Sequence, residues 1–297
     1  MTYNVEMKRD EDGWAGRNIS KVVETITTAN PDIVGLQEDS TDWYKEKKYT
    51  WGSGTTQKNH LEGLEDAGYA STNFDDNKYE RLNIFYKSDK LRLVDGAYGR
   101  ESFKELAKNK YSSVVAPNGA DMNRDNQDRM FSYAVFEILD GEGNGTGELI
   151  LVVNTHLHWR KDSNDDGSSD ENALVRQYES RILRAWLDDM VGKYPTQIVI
   201  GDMNDTPGDP PLSEFSKNDG FEFAKDTALV KGDVGGTLCS TTDYVTRDKY
   251  VFDHIAYRNV LAVEYTVINN KVDEVNGEMR YPSDHLPVMA KFVCTAG

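Results

Sequence analysis

Apolar, β-branched and aromatic residues recur along the chain in short runs, at residues 32–37, 82–86, 131–139, 149–154, 197–201, 252–257, 265–268 and 287–293. Runs of this length predict β-strands, several of them buried on both faces. Two stretches carry a helical period instead. Ile19, Val22, Val23 and Ile26 fall at i, i+3, i+4 and i+7, while Leu174, Tyr178, Ile182, Trp186 and Met190 recur every fourth position. Strands and helices together predict two β-sheets packed face to face with helices outside, a layered α/β (α+β) fold. The segments 39–79 and 101–127 are polar, irregular and rich in Gly, Asn and Tyr. Segments this long are more often functional loops or partial helices than structureless connections, and they are expected to form the rim that selects substrate. No repeat or low-complexity linker interrupts the chain, and one domain over residues 1–297 is expected.

Composition narrows the class. Hydrophobic residues make up 38% and aromatics 10% of 297 residues, a globular balance. No run approaches the roughly 18 apolar residues that span a bilayer. The chain opens at Met1-Thr2-Tyr3-Asn4-Val5, already strand-like and without a signal peptide. That start fits a trimmed chain, and an extracellular or periplasmic protein is the expectation. Lys and Arg number 34 against 51 Asp and Glu, for a net charge of −17. Such a surface repels polyanions at long range and disfavours nucleic acid, though bound divalent cations can invert the local field. Cys239 and Cys294 match no zinc spacing, and their spacing leaves free and paired states both open. A monomer is expected.

The informative pattern is where ionisable residues sit relative to the strands. Glu38 follows Ile33-Val34-Gly35-Leu36-Gln37, and Asp202 and Asn204 follow Ile198-Val199-Ile200-Gly201. His156 follows Val152-Val153-Asn154-Thr155, and Asp284-His285 precedes Leu286-Pro287-Val288. A charge abutting a buried strand costs desolvation energy unless it is paired or binds metal. Each junction alone is most simply a solvated cap or tight turn. Four in one chain predict a shared polar site at one end of the sheets.

With those residues in view, the sequence resembles the endonuclease/exonuclease/phosphatase family, which includes pancreatic-type deoxyribonuclease, apurinic endonucleases, inositol polyphosphate 5-phosphatases and neutral sphingomyelinases. The matching segments are Thr2-Tyr3-Asn4-Val5, Pro31-Asp32-Ile33-Val34-Gly35-Leu36-Gln37-Glu38 and Tyr79-Glu80-Arg81-Leu82-Asn83-Ile84-Phe85-Tyr86. They continue with Asn154-Thr155-His156-Leu157, Gly201-Asp202-Met203-Asn204-Asp205, Phe252-Asp253-His254-Ile255 and Ser283-Asp284-His285-Leu286-Pro287-Val288. All seven stand in the family's order. The resemblance implies a four-layered αββα sandwich and a Mg²⁺-dependent phosphoesterase, with Mn²⁺ as an alternative ion.

Roles implied by the resemblance follow position by position. Glu38 looks like the main metal ligand, a carboxylate suited to a hard cation. Asn4 and Asp284 are similar to further metal-shell or water-orienting groups, and Asp202 with Asn204 to the pair that positions water and phosphate. His285 with Asp253 resembles an acid–base pair, and His156 with Glu80 a second pair that steadies a phosphoryl oxygen.

The deoxyribonuclease members carry an Arg shortly after the metal-ligand Glu, whereas Asp39-Ser40 follows Glu38 here. Arg160 and Arg129 are candidates for phosphate contact, weighed against solubilising roles. Asp162, Asn164 and Asp166 match the first half of a calcium loop, closed by Gly167, yet position twelve is Ala173 rather than Glu. A solvated acidic loop is the plainer reading there, and bound Ca²⁺ the sharper one. Three functions compete: hydrolysis of a small-molecule, inositol or lipid-headgroup phosphate, which is favoured; a Mg²⁺-dependent nuclease; and a non-catalytic binding module.

Overall fold

A computed structural model describes residues 1–6, 15–39, 49–50, 57–58, 60–72, 74, 82–123, 128–159, 172–206, 208–218, 220–240, 244–275 and 277–294. Each of the eight apolar runs overlaps a strand. Seven strands form one sheet, in the order Val230–Lys231, Leu261–Val267, Val288–Val293, Thr2–Asn4, Ile33–Gln37, Ile84–Lys87 and Tyr69–Ser71. Six form the other, in the order Glu222–Phe223, Asp253–Arg258, Gln197–Asp202, Gly145–His156, Met130–Leu139 and Leu91–Ser102. Both are mixed: Thr2–Asn4 runs parallel to Ile33–Gln37, and Gln197–Asp202 parallel to Gly145–His156, amid antiparallel neighbours.

Period-two alternation sorts the residues into layers. Tyr3, Val34, Leu36 and Phe85 face outward and pack against Val22, Val23 and Ile26 of the Ala15–Ala29 helix and Leu64 of the His60–Asp66 helix. On the far side, Phe131, Leu151, Val153 and Val199 pack against Ile182, Leu183, Trp186 and Leu187 of the Asn172–Met190 helix. Between the sheets lie Val152, Ile198, Ile200, Ile255, Tyr265 and Val288. The result is the expected helix–sheet–sheet–helix sandwich. No helix among the described residues is long and apolar enough to cross a membrane.

The long polar segments contain regular elements: the start of 101–127 completes the Leu91–Ser102 strand and continues into the Phe103–Asn109 helix, capped by Ser102 Oγ accepting from the Glu105 N–H. That strand lies at the edge of its sheet with an irregularity between Leu93 and Tyr98, so its polar sequence hides it. The segment 39–79 likewise contains the His60–Asp66 helix and the Tyr69–Ser71 strand. In the Asn172–Met190 helix, the buried stripe is Val175, Arg176, Glu179, Ile182, Leu183, Trp186 and Leu187 rather than every fourth residue. A spacing of four drifts off one face because the helix turns every 3.6 residues. Cys239 and Cys294 form no disulfide.

A buried polar layer lies between the sheets just beneath the strand ends. Gln37 Nε2 donates to Asn154 Oδ1 at 2.6 Å, Asn154 Nδ2 to the Leu36 carbonyl at 2.9 Å, and Thr2 Oγ1 to Gln37 Oε1 at 3.2 Å. Gly35 allows this approach: a Cβ there would lie 2.6 Å from Ile200 Cδ1 and 2.7 Å from Asn154 Cγ. At the opposite end of the sandwich a cavity of about 750 Å³ opens between apolar side chains including Ile33, Ile150, Ile198 and Phe292. It contains none of the strand-end histidines. Gly35→Ala is expected to destabilise the fold by about 1–3 kcal/mol through overpacking, read as a lowered urea midpoint; an unchanged midpoint would contradict the close approach.

Candidate active site

The inner-face alternation that buries Ile198 and Ile200, Val152 and Asn154, and Ile255 and Tyr257 ends in polar residues. The last inward positions are Asp202, His156 and Asp253, and the ladder sets them opposite one another: Asp202↔His156 in the parallel pair and Asp202↔Asp253 in the antiparallel pair. Three adjacent strands thus deliver one row of side chains. The other sheet closes over this row with Asn4, at the end of Thr2–Asn4, and with His285, just before Val288–Val293.

Asp202 is 1% exposed and sits at the centre. Its Oδ2 accepts from Asn4 Nδ2 at 2.9 Å and lies 3.5 Å from His156 Nε2 and 3.7 Å from His285 Nε2. Its Oδ1 accepts the Asn204 N–H at 2.9 Å, and Asn204 Nδ2 donates to the Leu157 carbonyl at 3.1 Å. Burial pushes the Asp202 carboxyl up, but the two imidazoles and these donors outweigh it and hold it below the usual range. His285 Nδ1 is bonded to Asp253 Oδ2 at 2.8 Å. Burial pulls His285 down, yet the Asp253 and Asp202 carboxylates overcome it and raise the imidazole well above its ordinary value. Asp253 is raised by burial and by repulsion from Asp202, against the pull of His285. The neighbouring His254 is different: buried, lowered by desolvation, its Nε2 lies near the Asp205 and Val251 carbonyls.

Glu38 ends its strand with φ 59° and receives the Asn4 amide, Nδ2 to Oε1, at 3.1 Å. One amide group therefore bridges two carboxylates. Asn4 turns its nitrogen to these two carboxylates and its oxygen to the Glu6 N–H. Glu38 and Asp284 would offer hard oxygen donors, of the kind that suits a divalent cation such as Mg²⁺. Asp202, Asp253 and His285 also bring ligand atoms within 4.8 Å of one another. Of these, His285 already engages Asp253 through Nδ1, which fixes the orientation of its ring.

Of the other expected residues, Arg129 is half-buried and lies near enough for its charge to act on Glu179. Glu80, Arg160, Asp162, Asn164 and Asp166 lie outside the described residues. Several supports escaped sequence reading. Thr237 Oγ1 accepts the N–H groups of both Phe252 and Asp253, at 3.0 and 3.2 Å. Arg176, buried, pairs with Asp205 at 3.0 Å and reaches the Trp159 carbonyl at 3.2 Å. Glu179 accepts the His158 N–H at 2.8 Å. The available signal was position: Arg176 and Glu179 lie on the apolar stripe of their helix.

Burial pushes Glu179 up to about 7 from 4.5, against the pull of Arg129, Arg176 and His156. Because the unfolded chain releases this proton earlier, stability is lost as pH rises from 4.5 towards 7, by about 3 kcal/mol at most. Glu179→Gln is expected to flatten that slope, measured as urea midpoints at several pH values across the window; an unaltered slope would refute the assignment.

The endonuclease/exonuclease/phosphatase family model matches residues 1–285. Among curated relatives, the probable CCR4-Not complex 3'-5'-exoribonuclease subunit Ccr4 of Vairimorpha ceranae is 22% identical over 91% of this chain, and the Candida albicans subunit 24% identical over 92%. The chain spans only 56% and 36% of those two proteins' lengths. Among solved structures, a Bacteroides thetaiotaomicron mannosyl-6-phosphatase superposes with a TM-score of 0.70 at 19% identity, covering 98% of both chains. The human Nocturnin catalytic domain, with bound sulfate, gives 0.62 at 18% identity over 99% of this chain and 92% of its own. These likenesses share the fold. The family match over nearly the whole length decides the assignment: the chain belongs to the endonuclease/exonuclease/phosphatase family, metal-dependent hydrolases of phosphate ester bonds.

Proposed function

We propose that this enzyme hydrolyses a phosphate mono- or diester of a small molecule, a sugar, inositol or lipid-headgroup phosphate, by in-line attack of water. The observation that carries the chemistry is the convergence of buried groups on Asp202, whose Oδ2 lies 3.5 Å from His156 Nε2 and 3.7 Å from His285 Nε2, with His285 held by Asp253 at 2.8 Å. These neighbours favour the ionised form of Asp202 and the protonated form of His285. Asp202 orients the attacking water and accepts its proton. His285, steadied by Asp253, donates a hydrogen bond to a phosphoryl oxygen as charge builds, and His156 does so from the adjoining strand. Asn204 fixes Asp202 through its backbone and lines the same turn. Glu38 and Asp284 would hold the divalent cation, which when bound neutralises phosphoryl charge.

The small-molecule preference rests on the net charge of −17, which opposes a long polyanion, and on the mannosyl-6-phosphatase of the same fold. A second reading, RNA hydrolysis, is favoured by the exoribonuclease subunits among the curated relatives. A panel of hexose, inositol and glycerol phosphates assayed beside single-stranded RNA and plasmid DNA, with Mg²⁺ or Mn²⁺, separates them. Turnover of a small ester is expected to dominate; rapid cleavage of RNA or DNA with no small-molecule turnover would overturn the preference. Asp202→Ala and His285→Ala are expected to lower kcat by about 10²–10⁴, while Glu38→Ala chiefly raises the metal concentration required. Losses below about tenfold in kcat for Asp202→Ala and His285→Ala would contradict the proton roles.

A further inference from the structure

Three segments of the chain meet at Glu6, just beyond the Thr2–Asn4 strand. Its backbone N–H donates to Asn4 Oδ1 at 3.1 Å, which leaves the Asn4 nitrogen pointing at Glu38 and Asp202. Its carboxylate divides between two other segments: Oε2 accepts the Asp284 N–H at 3.1 Å, and Oε1 accepts the Tyr244 hydroxyl at 3.0 Å. The same junction is laced from behind. Ser283 Oγ donates to the Asn4 carbonyl at 2.8 Å, Cys239 N–H to the Asp284 carbonyl at 2.7 Å, and Tyr281 N–H to the Tyr244 carbonyl at 2.8 Å.

Two features mark this arrangement as more than packing. Glu6 and Tyr244 both hold left-handed backbone, at φ 41° and 55°, a conformation costly for residues of their type. The Glu6 carboxylate also uses both of its oxygens as acceptors, one from the Asp284 N–H and one from the Tyr244 hydroxyl, an arrangement that a Gln with a single acceptor oxygen could not copy.

We propose that Glu6 is a positioning residue for the cation-holding edge, setting the Asn4 amide and the Asp284 backbone without touching the ion, with Tyr244 as its strut. This rests on the reading that Glu38 and Asp284 hold the metal. It carries over to the whole edge: the ion's affinity depends on a tyrosine hydroxyl two contacts away.

The test is Mn²⁺ binding to the whole chain by calorimetry, without substrate, alongside thermal unfolding of the metal-free proteins. Tyr244→Phe, which removes one hydroxyl, and Glu6→Ala are each expected to weaken Mn²⁺ binding by about tenfold or more. The metal-free melting temperature of Tyr244→Phe is expected to stay at the wild-type value. Glu38→Ala serves as the reference and should lose most binding. Unchanged Mn²⁺ affinity in Tyr244→Phe and Glu6→Ala, with binding lost in Glu38→Ala, would overturn the role of Glu6 alone. Unchanged affinity in Glu38→Ala would overturn the metal reading on which it rests. If Glu6→Ala fails to fold, Tyr244→Phe decides by itself.

Discussion

An ionised carboxylate enclosed between two β-sheets is unfavourable unless its surroundings replace water, and Asp202 sets that condition for the whole site. Burying such a group unpaired would cost several kcal/mol. The replacement comes from both sheets. His156 and the Asn204 N–H belong to the six-stranded side, while Asn4 and His285 come from the seven-stranded side. The Asn4–Asp202 hydrogen bond joins residues 198 positions apart. Satisfying Asp202 therefore requires the sandwich to be closed, and closing it assembles the proton-handling groups in the same step. The Thr2, Gln37 and Asn154 layer below acts to the same end, fixing how the sheets meet where an apolar layer would let them slide.

The same closure separates the behaviour of two nearby carboxylates. Asp202 has imidazoles on two sides and stays ionised, whereas Asp253, enclosed and repelled by Asp202, is raised and depends on His285 for its charge. Environments that push paired groups apart in this way are how one protein keeps an acid and a base in reach of one substrate. Glu38, Asn204, Leu82, Glu6 and Tyr244 hold left-handed backbone. Such conformations persist where surrounding bonds over-determine them; Asp39, for example, takes the N–H groups of Leu82 and Asn83 at 2.9 and 3.3 Å.

Most of this was legible in the chain because burial writes itself as periodicity. Gly201-Asp202 and Thr155-His156 could be read as strand ends, since the apolar run stops where the inner face meets the site. The Leu91–Ser102 strand was not legible, because an edge strand with Arg92, Asp95 and Arg100 need not alternate cleanly. Glu179 and Arg176 were hidden for a different reason: they lie off the every-fourth-residue row read as apolar, on the face that the helix buries. The roles of Glu6, Thr237 and Tyr244 depend on segments far apart in sequence, and no local pattern announces a hydroxyl or carboxylate that joins three of them. The Asn4 amide orientation is likewise set by Glu6 and by the opposite sheet.

The row His156, Asp202 and Asp253 takes its spacing from the ladder between adjacent strands, about 4.8 Å per strand. That dimension is not continuously adjustable. A strand can move only by whole residues, and a shift of one turns its side chains to the opposite face. Natural variation or engineering can therefore leave the reacting row intact or break it, with little between. Adaptation to new phosphate esters in this architecture falls to the segments leaving the strand ends, where length and composition can vary while the row stays put.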